Sequence, residues 1–219
     1  VVGHVQGIEL MDNDVKVIAL GEKWFGQAKD INDFVLFYTG YGLGVSVMTN
    51  DGLYRGSENY ASEFGHTVID PVNGPECSCG NKGCLQAYAS GSALLRDLKH
   101  RYETEPSIYD IIKDSENDSE IYEIIKKQAW YIGIGAANII NVFNPSELIF
   151  NGYVTSFNDE LKKIILDTID TYCLKSMKPQ LKIVFSKLDS EAVNKGAAAL
   201  SVSNLYNSPS LFFGEDYDL

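Results

Sequence analysis

The sequence is short of positive charge. Its 18 lysines and arginines face 30 aspartates and glutamates, a formal net charge of −12. Nucleic-acid surfaces are built from clustered Lys and Arg that neutralise phosphates, so this chain is not expected to hold DNA by itself. Long apolar runs are also missing; none approaches the ~20 residues of a membrane-spanning helix. The opening VVGHVQGIEL lacks the basic and apolar regions of a secretory signal, and there is no internal repeat or low-complexity tract. Cysteine is sparse, with only four residues, which suits a reducing compartment better than a disulfide scaffold. These absences point to a soluble, cytoplasmic domain with no membrane partner. What the chain does have is 45% hydrophobic content over 219 residues, enough to bury one domain core.

Three of the four cysteines fall together, in Glu63-Phe-Gly-His66 followed by Cys77-Ser-Cys79-Gly-Asn-Lys-Gly-Cys84. Imidazole and thiolate are the preferred ligands of a tetrahedral structural zinc, and a Cys3His set leaves no open coordination position. Gly65, Gly74, Gly80 and Gly83 permit the tight turns that bring such near neighbours onto one ion. The competing reading is a glycine-rich surface loop with free or disulfide-bonded cysteines. Cys77 and Cys79 are too close to bridge each other comfortably, and three thiols cannot all pair. His66, Cys77, Cys79 and Cys84 are therefore expected to hold zinc. Cys173, alone in a helical pattern, reads as a packed thiol; His4 and His100 read as ordinary surface or packing residues.

The run from Ala61 to Ser90, ASEFGHTVIDPVNGPECSCGNKGCLQAYAS, resembles the signature of the ROK family (repressors, open reading frames and sugar kinases), G-E-x-G-H, a spacer and C-x-C-G-x-x-G-C-L-E. The resemblance implies a structural zinc on the same four residues, with Glu63 and His66 presented to a sugar. Two positions depart from the pattern: Ser62 replaces a Gly, and Gln86 replaces a Glu. The family also carries an Asn-Asp pair before a helix containing Gly-Glu, matched here by Asn13-Asp14 and Gly21-Glu22. Asn13 is thereby implied as a sugar hydroxyl partner. Asp14 is implied as the carboxylate that in the kinases acts as general base. Local sequence alone reads either residue as a helix cap, and the two roles can coexist on two side chains. The implied sugar-binding set is Asn13, Asp14, Glu63, His66 and Gln86.

Along the chain, residues 1–10 read as extended and Val15 to Gln27 as a helix, with Glu22 the exception in its apolar pattern. Phe34–Tyr38 reads as a buried strand and Val45–Thr49 as a second, with Asn50-Asp51-Gly52 a hairpin turn to Leu53-Tyr54. Leu85–Ser90 and Ser92–Arg101 read as short helices, and 103–118 as a polar surface insertion or small helical excursion. A long helix from Ser119 to Phe143 becomes apolar nearly all round after Ala129, so it must be buried. Gly133, Gly135, Ala136 and Ala137 would admit a close neighbour, and Asn144-Pro145 stops the helix. Glu147–Asn151 reads as a strand, Ser156 as the cap of a helix through Tyr172, Leu181–Ser186 as a strand and Ala192–Leu205 as a helix. Strands alternating with helices make an α/β layered domain. Resemblance sharpens this to the C-terminal lobe of the actin-like, ribonuclease H-like sugar kinase fold. Residues 1–30 would then end an N-terminal lobe or hinge, 31–206 would form the ROK lobe with its zinc loop at 66–84, and 207–219 an acidic tail.

What the pattern lacks shapes the functional expectation. The D-x-G-x-T phosphate loop of ROK kinases and the winged helix-turn-helix of ROK repressors are not found, so Val1 is expected to follow a truncation. Tyr41 replaces the Thr of the kinases' G-T-G-x-G, and Asn151-Gly152 departs from their Gly-Gly pair near adenosine. The expectation is a non-enzymatic, sugar-sensing effector domain of a ROK transcriptional regulator, a homodimer or higher oligomer reaching DNA through an N-terminal helix-turn-helix. The alternative is part of an ATP-dependent ROK sugar kinase with Asp14 as base. A third is a degenerate zinc-stabilised interaction domain. With Arg55 the only cation close to the motif, a neutral sugar such as xylose or glucose is expected.

Overall fold

The computed structural model describes residues 2–5, 8–188 and 192–207. Its centre is a mixed five-stranded sheet, order β5-β4-β3-β6-β7. β3 (Phe34–Thr39), β4 (Leu43–Thr49) and β5 (Gly52–Leu53) run antiparallel; β6 (Glu147–Gly152) and β7 (Lys182–Phe185) join β3 in parallel. Asn50 and Asp51 take φ of 50° and 63°, the twist-matched turn expected of an Asn-Asp-Gly hairpin. A separate hairpin of β1 (Val2–Val5) and β2 (Ile8–Met11) precedes α1 (Asp14–Phe25).

Both faces of the sheet are covered, which is why β3 and β6 read as continuous apolar runs. Val35, Phe37, Leu148 and Phe150 face α5 (Ser119–Phe143) and α6 (Asp159–Tyr172). Phe34, Leu36 and Ile149 alternate to the other face, against α1 and α7 (Ala192–Asn207). The apolar half of α5 is buried as its composition requires. A Cβ on Gly133 would stand 2.6 Å from that of Thr168 on α6, so the small residue sets how closely the two helices approach. Asn144, in the left-handed region at φ 45°, caps α5 before Pro145.

Packed against α5 are α2 (Gln86–Ala89), α3 (Gly91–Asp97) and α4 (Ile108–Asp114). The 103–118 stretch is a helical excursion, and Ile111 and Ile112 of α4 enter the core. One expectation fails: Ser156 does not cap α6. Residues 153–156 form a 3-10 turn, and the cap is Asn158, whose Oδ1 accepts from Leu161 N at 2.9 Å. Cys173 is buried just past α6, and burial raises its thiol pKa. His100 is exposed beside Glu120. The acidic tail, from residue 208 on, lies outside the described residues.

Glu22, the odd residue in the apolar pattern of α1, is fully buried and acts as an anchor. Its Oε1 accepts from Asn151 Nδ2 at 3.0 Å and from Ser186 Oγ; its Oε2 accepts from Gln27 N at 3.0 Å. One carboxylate thus ties α1 to β6 and to the end of β7. Glu22→Leu strands two buried donors, Asn151 Nδ2 and Ser186 Oγ, and the part-buried Gln27 N–H, each buried one costing about 1–3 kcal/mol when unsatisfied. Chemical denaturation should show roughly 3 kcal/mol of lost stability; a change under 1 kcal/mol would contradict the anchor.

Candidate functional site

The N-terminus of α1 and the cysteine loop meet over the start of β4. Asn13 caps α1, its Oδ1 accepting from Val15 N at 2.9 Å, while Asp14 Oδ1 accepts from the same N–H at 2.8 Å. Both side chains are exposed. Opposite them, Glu63 opens the 3-10 turn Phe64–His66 with no side-chain bond to that turn. Gly65 is dictated by packing: a Cβ there would stand 2.4 Å from Leu43 O. Gln86 closes the floor. Its Oε1 accepts from Leu43 N at 3.2 Å, and its Nε2 donates to Ser78 Oγ at 3.2 Å, between the two cysteines of the C-x-C turn. An ionised Glu has no donor for Ser78.

These residues enclose a cavity of about 310 Å³ lined by Asn13, Asp14, Glu63 and Gln86, together with Lys16, Tyr38, Tyr41 and Ser62. The volume is within the range of small-molecule sites. Four of the five residues implied for sugar contact therefore share one wall-and-floor surface; His66 is not among the lining residues. Burial, and then the nearby Asp14 carboxylate, raises the phenol pKa of Tyr38, which keeps its proton available for donation. Tyr41, in place of the kinases' Thr, is 69% exposed at the rim. Asn151 does not reach the cavity; it is buried on Glu22.

His66, Cys77, Cys79 and Cys84 converge behind the cavity, with all four donor atoms within 4.8 Å of one another. Nδ1 of His66 is 3.5 Å from Cys77 Sγ, and Cys79 Sγ is 3.7 Å from Cys84 Sγ. A tetrahedron with Zn–S of about 2.3 Å and Zn–N of about 2.0 Å has S···S and S···N edges of roughly 3.8 and 3.5 Å, so the cluster fits such an ion and could bind a metal. The loop folds for this locally. Cys77 N donates to Asn81 O and Gly80 N to Cys77 O, and Gly83, at φ 70°, lets Ile69 N and Asp70 N reach its carbonyl. Burial pushes the Cys84 thiol up to about 12, whereas the Asn81 N–H holds Cys79 below its ordinary value.

Sequence reasoning missed Lys16. It is 5% exposed, lines the cavity, and donates Nζ to Asn59 O. The signal was there: a lysine between Val15 and Val17 in a stretch otherwise destined for burial.

The mixed α/β sheet is that of sugar kinase-like folds, and the comparisons agree. The ROK family model matches residues 7–204, and the chain belongs to that family. The xylose repressor of Bacillus spizizenii is 36% identical over 196 residues, 89% of this chain and 49% of the repressor. The chain thus spans about half the length of the curated relatives it matches. A ROK family transcriptional regulator, described as a homologue of the Escherichia coli MLC protein, superposes with a TM-score of 0.77 at 30% identity, covering 87% of this chain and 51% of that one. A ROK hexokinase from Thermus thermophilus gives a TM-score of 0.79 at 25% identity, covering 90% and 66%.

Ser62, where the family pattern has glycine, sits at φ 79° with its Oγ buried and without a hydrogen-bond partner. A non-glycine residue in the left-handed region costs about 1 kcal/mol, and an unsatisfied hydroxyl adds to it. Ser62→Gly should raise stability by roughly 1 kcal/mol in denaturant unfolding; a loss of stability would show that the serine is held by something other than strain.

Proposed function

We propose that the chain is the monosaccharide-sensing domain of a ROK transcriptional regulator, with no catalytic turnover of its own. The observation carrying this reading is the cavity, which gathers Asn13 and Asp14 from α1, Glu63 from the cysteine loop and Gln86 from α2 onto one polar surface. Carboxylates and amides facing a small cavity accept from and donate to hydroxyls, and a hydroxyl-lacking analogue would leave them unpaired. Similarity to proteins named repressors supports regulation over chemistry. So do Tyr41 at the rim and Asn151 turned inward, where the kinases carry phosphate- and adenosine-handling residues.

In this reading the fold is the C-terminal lobe of the actin-like, ribonuclease H-like architecture, three antiparallel strands followed by two parallel ones. Residues 1–30 are its hinge and 31–206 its body. Zinc is held by His66 Nδ1, Cys77, Cys79 and Cys84, and supplies a fixed tetrahedral clamp for the loop. His66 Nε2, on the far side of the ring, is left to donate to a sugar oxygen at the cavity edge. Sugar binding shifts the regulator between two states by favouring one of them. The protein works in the cytoplasm as a homodimer or higher oligomer. DNA contact belongs to a part of the longer protein other than this acidic stretch; among the described residues no helix is long and apolar enough to cross a membrane.

The second reading, a sugar kinase with Asp14 as general base, is favoured by the hexokinase superposition. Calorimetric titration of the full-length protein with xylose, glucose and N-acetylglucosamine, followed by an ADP-release assay, separates the two. Binding without ADP release is expected, weakened roughly tenfold or more in Asp14→Asn by loss of a charged hydrogen bond. ADP release abolished by that variant would establish the kinase. Elemental analysis should find one zinc per chain. Stripping it, or Cys79→Ser, should weaken sugar binding without removing any cavity-lining residue; unchanged affinity in zinc-free protein would refute the clamp.

A further inference from the structure

The cysteine cluster is not evenly shielded. Cys77 and Cys84 are buried and His66 is half-buried, whereas Cys79 is exposed, as are all of residues 78–82 around it. Gly80, next in the chain, has nothing within 4 Å of the place a Cβ would take, so the turn leaves room for a small solute beside the Cys79 sulfur. Cys84 Sγ stands 3.7 Å from that sulfur. This second thiol is fixed from behind: Cys84 bridges Val68, and Leu85 N donates to Thr67 O at 2.9 Å. An accessible thiol poised on a buried one is the arrangement in which the first sulfur is oxidised and the second resolves it.

We propose that Cys79 is an oxidation site for hydrogen peroxide, that Cys84 resolves it, and that the resulting disulfide weakens ligand binding in the cavity. The last step rests on the zinc and sugar readings above; the oxidation site does not. The Cys79 sulfur attacks one peroxide oxygen, the O–O bond breaks, a sulfenic acid forms and the other oxygen leaves as water. The Cys84 sulfur then attacks the Cys79 sulfur, the S–O bond breaks and the second oxygen leaves as water. The two sulfurs lose two electrons, the peroxide gains them, and the protons come from the thiols or from solvent. The sulfurs must close from 3.7 Å to about 2.05 Å, and the exposed turn is the side with room to move. Metal ligation needs thiolates, so the disulfide leaves only His66 and Cys77 to hold an ion. The bond also bears on the cavity floor. Cys79 follows Ser78, Cys84 stands two residues before Gln86, and Gln86 Nε2 donates to Ser78 Oγ at 3.2 Å. Drawing the sulfurs together displaces that contact and releases His66, which ends the turn opened by Glu63.

The test exposes the full-length protein to graded hydrogen peroxide. Peptide mass spectrometry maps the bonds, a chromogenic chelator counts released zinc, and calorimetry follows the affinity for whichever of xylose, glucose and N-acetylglucosamine binds. A Cys79–Cys84 disulfide should form before the buried Cys173 is modified, with one zinc released per chain as it forms. Sugar affinity should fall roughly tenfold or more, the worth of a lost hydrogen bond to a charged group. Dithiothreitol with added zinc should restore both, and Cys173→Ala should change none of these results. Oxidation that begins at Cys77 or Cys173, or that ends in sulfinic acid at Cys79 without a disulfide, overturns the oxidation site. Unchanged affinity in protein carrying the mapped disulfide overturns its hold on the cavity. The bond is mapped without reference to sugar or metal. A protein that binds no sugar, or carries no zinc, therefore contradicts the earlier readings, and the disulfide alone still decides whether Cys79 and Cys84 form the pair.

Discussion

Three thiols and an imidazole crowded within 4.8 Å are the constraint on which the functional half of the molecule depends. The loop from His66 to Cys84 contains no regular element and little apolar mass. Its donors converge on one point, and short backbone bonds such as Cys77 N to Asn81 O hold the turn that brings them there. The loop in turn supports two sides of the cavity. Glu63 stands on the 3-10 turn that ends at His66, and Gln86 reaches back to Ser78 between two of the cysteines. Releasing the proposed ion would free both at once, although neither touches it.

The opposite wall depends on a different anchor. Asn13 caps α1, Asp14 and Lys16 lie in its first turn, and α1 is fixed near its other end by the buried Glu22 carboxylate on Asn151 and Ser186. A helix held at its far end carries its N-terminus as a rigid lever, so side chains presented there keep their spacing to the cysteine loop. The cavity is thus a joint between a carboxylate-anchored helix and the cysteine loop. The strand between them, β4, meets the loop region at Leu43: its N–H donates to Gln86 Oε1, and its carbonyl packs so close to Gly65 that no Cβ would fit there.

How much of this was legible in the sequence follows from how local each interaction is. The donor cluster was readable because its residues lie close together and their chemistry allows few alternatives. The long helix and its stop at Asn144-Pro145 were readable from periodicity and backbone restriction. Asn13, Asp14, Glu63 and Gln86 came from resemblance, since no spacing rule joins residues so far apart. The cap of α6 was misplaced by two residues because Ser156 and Asn158 offer equivalent oxygens, and the intervening 3-10 turn leaves no periodic trace. Glu22 and Lys16 both announced themselves as charges in an apolar stretch. Their partners, Asn151, Ser186 and Asn59, could be found only in the folded chain.

The central claim, that a sugar settles in the joint between α1 and the cysteine loop, is tested most directly by hydrogen–deuterium exchange of the full-length protein with and without a binding sugar. The account predicts that protection appears in three separate segments, around 13–17, 41–45 and 62–66, and deepens at the start of α2. Sugar-dependent protection confined to other surfaces, such as α3 and α4, or none at these segments while sugar is bound, would contradict it.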